Sequence, residues 1–357
     1  MLKIFRKCLY SLLTLLGVVT VVFVLFNVLP GDPARMMLGQ NQNAGQVAAV
    51  KKKFGFDQPL IKQYLYYLND LSPVSWHSNE SNDYTSLDSS KYNFKSVLST
   101  TKSTMVIKWP YLRESFTKQG KKVSKVILET LPNTFVLAIA AILIAIVLGM
   151  ILGVVSALNK DSFIDKFIQV ASTIGMSVPS FFSAIIFAWL FGFVWHEYTN
   201  LEMTGSLYEL DDFGESYELQ WKNLILPAVV LGIRPLAVII QLMRNSMLEV
   251  LSQDYIRTAR AKGLNQFQVV KNHAFRNSLN PVITAISGWF ASMLAGAVFV
   301  EYIFGWNGLG KEIVNALNTL DLPVIMGAVL VIAVVFITIN IMVDLIYGWL
   351  DPRVKLG

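Results

Sequence analysis

The stretch NTFVLAIAAILIAIVLGMILGVVSAL, residues 133–158, contains no charged side chain. An α-helix needs about 20 predominantly apolar residues to cross the hydrocarbon core of a bilayer. A helix of similar length on the surface of a water-soluble domain would instead carry a polar face. The stretch is long enough to cross and has no such face, so it predicts a membrane-spanning helix.

Five other stretches approach or exceed the same length, and they complete a prediction of six spans. They lie near Cys8–Leu29, Phe167–Trp195, Leu224–Met243, Leu279–Val300 and Leu322–Leu345. Only 15% of all residues are charged, against about 25% in soluble globular proteins. We therefore predict an all-α membrane protein with six transmembrane helices, which the low charged fraction also indicates.

The first span begins like a secretory signal peptide, because Lys3, Arg6 and Lys7 precede an apolar centre. A signal peptide has an apolar region of about 7–15 residues followed by a small-x-small cleavage site. Here the apolar centre is longer and ends in NVLPGDP, residues 27–33, which contains no such site. We interpret the segment as a retained first span.

Lysine and arginine accumulate in the short cytoplasmic loops of membrane proteins. With the N-terminus inside, the two short outer loops, 196–222 and 301–323, hold one each, and the inner segments hold thirteen. Those inner segments are 1–7, 159–166, 244–277 and 351–357. Long translocated segments do not follow the rule, so the fourteen in 30–132 do not oppose it. We predict both termini in the cytoplasm, and we attribute the net charge of +6 to topology and the outer segment, without a nucleic-acid partner.

The spans divide the chain into an N-terminal helix, a large outer segment, a five-helix core and a tail. The predicted boundaries are 1–29, 30–132, 133–350 and 351–357, with a cytoplasmic loop at 244–281 inside the core. Within the outer segment, 71–108 is rich in Ser, Asn, Asp and Thr, which predicts an irregular loop. The outer loop 196–222 carries seven acids and is either solvated or a docking surface for an extracellular partner.

The loop between the fourth and fifth spans has a pattern of its own. Apolar spacing predicts a helix over 245–262, and Gly263 follows where a helix end favours a residue at positive φ. Asn265 then predicts the cap of a short second helix, with Gln268 completing a capping box and Leu264 packing against Val269. This second helix shows Phe267 and Val270 to one side, it ends near His273 and Arg276, and Pro281 opens the next span. Such a shape suits a groove on another protein.

This loop, DYIRTARAKGLNQFQVVKNHAFRNSLNP at 254–281, resembles the cytoplasmic loop of the permease subunits of bacterial ABC importers. The general Glu-Ala-Ala pattern of that loop is mostly absent, but the dipeptide/oligopeptide branch is similar, and within it the B-type subunit. Further matching motifs are LPGDP at 29–33, FGFDQPLIKQY at 54–64, LPNTFVLA at 131–138, SVPSFF at 177–182, SMLEVL at 246–251, FGWNGLG at 304–310 and LDPR at 350–353. Two departures are Asn307, where a proline is usual, and the segment near 71–108, which looks inserted.

The resemblance implies an ABC type I importer permease in the bacterial inner membrane. It implies three kinds of partner besides the bilayer: a second homologous permease, two cytoplasmic ATPases and an extracytoplasmic substrate-binding protein. ATP and Mg²⁺ would bind on the ATPases and no cofactor on this chain. Di- or oligopeptides are the implied cargo; nickel chelates, glutathione or another small solute, and a membrane scaffold or sensor without transport, are the alternatives.

The same resemblance implies that the 254–281 loop docks onto the ATPases. The apolar contact would come from Phe267 and Val270 and the polar contact from Arg260, Lys262 and Lys271, unless these charges only enforce topology. The full set of candidate coupling residues is Arg257, Thr258, Ala259, Arg260, Lys262, Gly263, Leu264, Phe267, Val270, Lys271, His273 and Arg276.

Prolines and isolated charges inside the spans indicate candidate pathway residues. Pro179 lies in the third span, and Pro227 and Pro235 lie in the fourth, where they predict a break that would fit a transport pathway. Arg234 costs about 2.5–3.5 kcal/mol at the centre of a span. It therefore lines the cavity and attracts a peptide carboxylate, or it has a structural partner or caps a carbonyl beside the break at Pro235. The candidate pathway set is Arg234, Pro235 and Pro179. Glu301, at the outer end of the fifth span, belongs to an outer gate or is solvated.

No catalytic or metal-binding residues are predicted in this chain. The sequence GWNGLGK, residues 305–311, fits G-x-x-x-x-G-K, but Glu312 follows where a phosphate-binding loop needs Ser or Thr. His77, His196 and His273 are too scattered for a metal motif. An intramembrane serine protease needs a histidine near its nucleophile inside the membrane, and no histidine falls inside a predicted span.

Overall fold

The computed structural model describes residues 2–28, 33–38, 43–80, 83–89, 91–118, 120–211 and 213–350. The motif at 29–33 and the tail at 351–357 lie wholly or mostly outside these residues. Helices dominate the described chain, which confirms the predicted fold class, although two small sheets accompany them. The chain divides into two compact units, Met1–Glu129 with Ile313–Val334, and Thr130–Glu312 with Val335–Gly357.

The N-terminal part begins with a long apolar helix and continues with shorter helices and a sheet. Their bounds are α1 Leu2–Val28, α2 Pro33–Leu38, α3 Ala44–Phe54, α4 Leu60–Leu71, β1 Val74–Ser78, β2 Phe94–Ser99 and β3 Ser103–Lys108. Helix α3 has local signals at both ends. The Asn43 side chain accepts a hydrogen bond from the Gly45 amide, and Gly55 ends the helix at φ 71°.

The strands form an antiparallel sheet in the order β1-β3-β2. The prediction of an irregular loop over 71–108 was therefore wrong for these strands. In the central strand β3, Thr104, Val106 and Lys108 are buried and their neighbours are more exposed. This alternation is the period-2 pattern of a half-buried strand, and the many Ser and Asn residues around it obscured the signal.

Two contacts within the first unit hold its parts together. Val19 and Phe23 of α1 pack with Tyr67 of α4 and with Met326 in one apolar cluster. The buried carboxylate of Asp321 accepts hydrogen bonds from the Ser115 hydroxyl and from the amides of residues 116 and 117. A buried carboxylate without hydrogen-bond donors costs free energy. These bonds therefore fix the segment at residues 115–117 against Asp321.

The rest of the chain is a succession of helices with one hairpin. Their bounds are α5 Val123–Leu158, α6 Phe163–Ser177, α7 Ser180–Trp189, α8 His196–Thr199, β4 Tyr208–Leu210, β5 Tyr217–Leu219, α9 Lys222–Leu251, α10 Asp254–Ala261, α11 Gln266–Val269, α12 Phe275–Gly296, α13 Val298–Phe304, α14 Leu309–Asn318 and α15 Leu322–Leu350. Two π-helical turns, Leu190–Val194 and Val270–Ala274, follow α7 and α11. Helix α5 begins at Val123, earlier than the span predicted from Asn133. The charged residues in its first turns do not interrupt the helix.

Four helices in the described chain are long and apolar enough to cross a membrane, namely α1, α5, α9 and α15. Two bent helix pairs raise this number to six if each pair is one span. The first pair, Phe163–Ser177 and Ser180–Val194, bends by 109°, and Pro179 lies at the bend. The second, Gln266–Leu294 and Val298–Phe304, bends by 56°.

The predicted break in the fourth span was wrong. Helix α9 runs unbroken over Lys222–Leu251 with Pro227 and Pro235 inside it. Both prolines are buried, and α9 packs against α6, α7 and α12; neighbouring protein is what allows proline inside membrane helices.

Helices α5 and α9 approach each other at glycine. A Cβ atom added at Gly153 would lie 2.6 Å from the Met243 Cβ and 2.9 Å from the Ile240 carbonyl oxygen. Small residues allow this backbone approach in membrane helices. Helices α5 and α9 are therefore in close backbone contact at this point.

Candidate functional site

The 254–281 loop begins with a change of helix rather than with one continuous helix. Helix α9 ends at Leu251 and α10 begins at Asp254, so the predicted helix over 245–262 was interrupted at Ser252 and Gln253. Ile256 and Ala259 of α10 are buried, and Arg257, Thr258 and Arg260 are exposed. The apolar face thus fixes α10 to the rest of the unit and leaves its charged face exposed.

A glycine turn joins α10 to the second helix. Gly263 has φ +81°, and no heavy atom lies within 4 Å of the position that its Cβ would occupy. Glycine is therefore needed here for its left-handed conformation and not for lack of room. Lys262 is exposed beside it.

The capping box predicted for the second helix is confirmed. The Asn265 side-chain oxygen accepts a hydrogen bond of 2.9 Å from the Gln268 amide, and the Gln268 side chain accepts one of 3.1 Å from the Asn265 amide. This reciprocal pair satisfies two of the free N–H groups at the helix start. The start of α11 is therefore set by its own four residues and the cap.

Helix α11 does not end as a separate short helix. The π-helical turn Val270–Ala274 carries it into α12, which begins at Phe275 and contains Pro281. The predicted end near His273 and Arg276, with Pro281 opening the next span, was wrong. The reason is that Ala274 and Val282 are buried in the same cluster, so tertiary packing maintains the helix through the turn.

The structure separates the two apolar residues that were predicted on one side of α11. Val270 is partly buried and packs, like Leu264, against a cluster that contains Val269. Phe267 is 71% exposed, and the Lys271 ammonium lies 5.9 Å from its ring centroid. Phe267 is thus the one large apolar side chain that this turn of helix presents outward. Of the remaining candidates, Arg276 is exposed and His273 is half-buried.

The three candidate pathway residues lie in different surroundings. Pro179 is exposed and precedes α7 at the 109° bend. Pro235 is buried within α9, whereas its neighbour Arg234 is exposed and forms no hydrogen bond or ion pair with the described residues.

Glu301 is completely buried, so the expectation of a solvated side chain was wrong. Its Oε2 atom accepts hydrogen bonds of 2.7 Å from the Gly310 amide and 3.1 Å from the Lys311 amide. These amides belong to the first turn of α14, where free N–H groups need acceptors. Glu301 therefore connects α13 to the first turn of α14 through these two hydrogen bonds. A role of Glu301 in an outer gate remains a prediction.

Sequence reasoning missed an ion pair near the loop, between Asp165 of α6 and Arg244 of α9. The two residues are 79 positions apart. The only available signal was that both were predicted on the same side of the membrane with opposite charges.

Comparison with known proteins gives matches over almost the whole chain. A family model for the binding-protein-dependent transport system inner membrane component matches residues 145–356, and a model for the N-terminal part of such components matches 1–105. The dipeptide transport system permease protein DppB of Alkalihalophilus pseudofirmus is 33% identical over 363 residues, covering 98% of each chain. DppB of Bacillus subtilis is 33% identical over 347 residues, covering 96% of this chain and 94% of its own.

Among solved structures, the methionine ABC transporter MetNI in an inward-facing conformation has a chain that matches with a TM-score of 0.49 at 15% identity. The match covers 64% of this chain and 97% of that one. Family membership is carried by the sequence matches, which include both the N-terminal part and the helical core. From these matches it follows that this multi-pass membrane protein belongs to the family of binding-protein-dependent transport system inner membrane components.

Proposed function

We propose that this chain is a transmembrane permease subunit of an ATP-driven ABC importer for di- and oligopeptides. It forms one half of the translocation pathway. The observation that carries the proposal is the 33% identity to dipeptide permeases over nearly the full length of both chains. The cargo is inferred from what those relatives are named for.

The family membership supports a set of partners. A second homologous permease completes the pathway, two cytoplasmic ATPase subunits bind ATP and Mg²⁺, and a binding protein delivers the peptide from outside. This chain itself binds no cofactor and catalyses no reaction. Both of its termini lie in the cytoplasm of a bacterial cell with the chain in the inner membrane.

The 254–281 loop is proposed to receive the ATPase subunits. The exposed Phe267 ring provides an apolar contact, and the exposed cations Arg260, Lys262 and Lys271 lie in the same loop, with the Lys271 ammonium 5.9 Å from the ring centroid. Because α11 continues through the π-helical turn into α12, a displacement at Phe267 passes into the fifth span without a flexible joint. Gly263 provides the turn that presents α11 to the partner.

The translocation pathway is proposed to pass the bent third span and the exposed side of α9. Arg234 is the charged group there, and its exposure within the single chain supports a position facing the second permease or the cavity. A cation in this place would attract the carboxylate end of a peptide.

The test uses the complex of both permeases, both ATPases and the binding protein, reconstituted in liposomes. Phe267→Ala and Gly263→Ala should each lower ATP-driven uptake and the affinity for the ATPases, whereas Lys160→Ala, an exposed charge in another predicted cytoplasmic loop, should change neither. Labelled di- to pentapeptides should be taken up, and nickel chelates or glutathione should not. Normal uptake and assembly in both loop variants would contradict the proposed coupling role, and uptake of only the non-peptide solutes would contradict the cargo.

A further inference from the structure

One buried carboxylate between α5, α6 and α9 collects hydrogen bonds from all sides. Asp165 Oδ1 accepts from the Ser156 hydroxyl at 2.5 Å and from Arg244 Nε at 2.7 Å. Its Oδ2 accepts from Arg244 Nη2 at 2.6 Å and from the Asp161 amide at 2.9 Å. The arginine is therefore bidentate, the strongest and most directional form of an ion pair between side chains.

The donors come from separate elements of the chain. Ser156 lies in the last turn of α5, Asp161 lies in the connection to α6, and Arg244 lies in α9. The side chains of Asp165 and Arg244 are only 3% and 18% exposed. A single carboxylate, itself largely buried, thus joins three elements.

Stabilisation alone is a weak explanation for such a pair, because burying two charges can cost as much as their attraction returns. A bidentate pair has a further effect, which is to fix distance and orientation. Helices α5 and α9 already meet in direct contact at Gly153 and Met243. Helix α6 also packs along α9 directly, for example where Gly175 approaches Ile233. What the pair adds is a directional contact at the N-terminal end of α6, beside the last turn of α5 and the last turns of α9.

The two residues of the pair lie on the two segments that transport must couple, the 254–281 loop and the bent third span. Arg244 lies in the last two turns of α9, just before α10 and the 254–281 loop. Asp165 lies in the first turn of α6, and α6 leads to the 109° bend at Pro179. The pair therefore links the loop to the bent span through one rigid contact.

We propose that Asp165 and Arg244 are positioning residues for transport: their bidentate contact makes α6, and with it the bent third span, follow α9 when the ATPases displace the loop. This role rests on the proposed function, since it requires a partner that moves the loop. Neither residue contacts substrate or nucleotide in this scheme. Without the pair, the N-terminal end of α6 would follow α9 less closely, through apolar packing alone.

The test measures peptides transported per ATP hydrolysed by the reconstituted full complex. Arg244→Ala and Asp165→Asn should lower this ratio about tenfold, within the usual range of coupling between sites, while ATP hydrolysis continues. Arg244→Lys keeps the charge but loses the second hydrogen bond, so it should recover part of the ratio. Lys166→Gln removes an exposed charge next to Asp165 and should leave the ratio unchanged.

A crosslink distinguishes a mechanical role from a stabilising one. In a Cys8→Ser background, Asp165→Cys and Arg244→Cys are joined by a short bifunctional thiol reagent, which should restore the ratio towards that of the parent complex. Two results would overturn the positioning role. One is loss of assembly in the single variants with no recovery of the transport ratio in the crosslinked double-cysteine variant. The other is an unchanged transport ratio in all variants. If the parent complex itself shows neither uptake nor ligand-stimulated ATP hydrolysis, the proposed function fails, and that result is separate from the behaviour of the variants.

Discussion

At the scale of single residues, buried charge organises the segment between α1 and α5. Asp70 is 2% exposed, and its carboxylate accepts hydrogen bonds from Arg113 Nε at 2.9 Å and from the Tyr92 hydroxyl at 2.8 Å. The ammonium of Lys108 donates to the Asp70 carbonyl oxygen at 3.0 Å and lies 4.3 Å from the centroid of the Tyr92 ring. These bonds attach the central strand β3 to the end of α4.

The buried Lys108 predicts a rise of stability with pH. Burial lowers the pKa of Lys108 to about 8, although nearby Asp70 opposes the shift. Between pH 8 and the ordinary lysine pKa of about 10.4, the unfolded chain holds a proton that the folded chain has released, so stability increases with pH. Lys108→Met should remove this increase, as measured by tryptophan fluorescence during denaturant unfolding from pH 7.5 to about 9.5, below the tyrosine range.

The control is Lys95→Met, which replaces an exposed lysine in the same sheet. This variant should keep the pH dependence of the parent protein. Parallel stability curves for the parent and Lys108→Met would show that Lys108 remains charged when buried, contrary to the prediction.

At the scale of elements, the cap of α11 has a measurable effect on the presentation of Phe267. Asn265→Ala removes the side-chain acceptor for the Gln268 amide, and the loss of such a cap costs about 1 kcal/mol. If docking requires an ordered α11, ATPase binding to the permease in nanodiscs should weaken about fivefold, which corresponds to that energy. Asn272→Ala, an exposed asparagine in the π-helical turn, should bind normally; equal weakening by both variants would contradict the capping role.

The contact between α5 and α9 predicts opposite results for two glycine substitutions. Gly153→Ala places a Cβ 2.6 Å from the Met243 Cβ and close to backbone, so overpacking should destabilise the protein by about 1–3 kcal/mol. Gly288→Ala meets nothing within 4 Å and should be neutral or stabilising, because alanine favours helix over glycine. Thermal unfolding in detergent provides the comparison, and a tolerated Gly153→Ala would show that the two helices can separate without cost.

At the scale of the whole molecule, the charge distribution predicts which loops face the cytoplasm. In a Cys8→Ser background, Glu215→Cys in the β4–β5 hairpin should react with a membrane-impermeant maleimide added to intact cells, because that residue is exposed. Thr258→Cys in α10 is equally exposed but should react only after the membrane is opened. Labelling of Thr258→Cys in intact cells would reverse the orientation and contradict docking of cytoplasmic ATPases on this loop.

Local chemistry made several features predictable. The capping box depends on Asn265 and Gln268 alone, and the positive φ at Gly263 follows from the end of one helix beside the start of another. The uncharged stretch 133–158 required a spanning helix because a bilayer offers no partner for polar groups. The proline at position 179 also indicated a break in the third span, although it did not predict the angle of the bend.

The sequence by itself determined that this chain is a helical membrane protein and where the second helix of its loop is capped, because apolar length, charge and caps act over a few neighbouring residues. Only the tertiary structure decided that α9 is unbroken at its prolines, that α11 continues into α12, that Glu301 is buried and that Asp165 meets Arg244. Each of these depends on groups brought together from distant positions, and burial then determines whether a free backbone group, a helix end or a charge finds its partner.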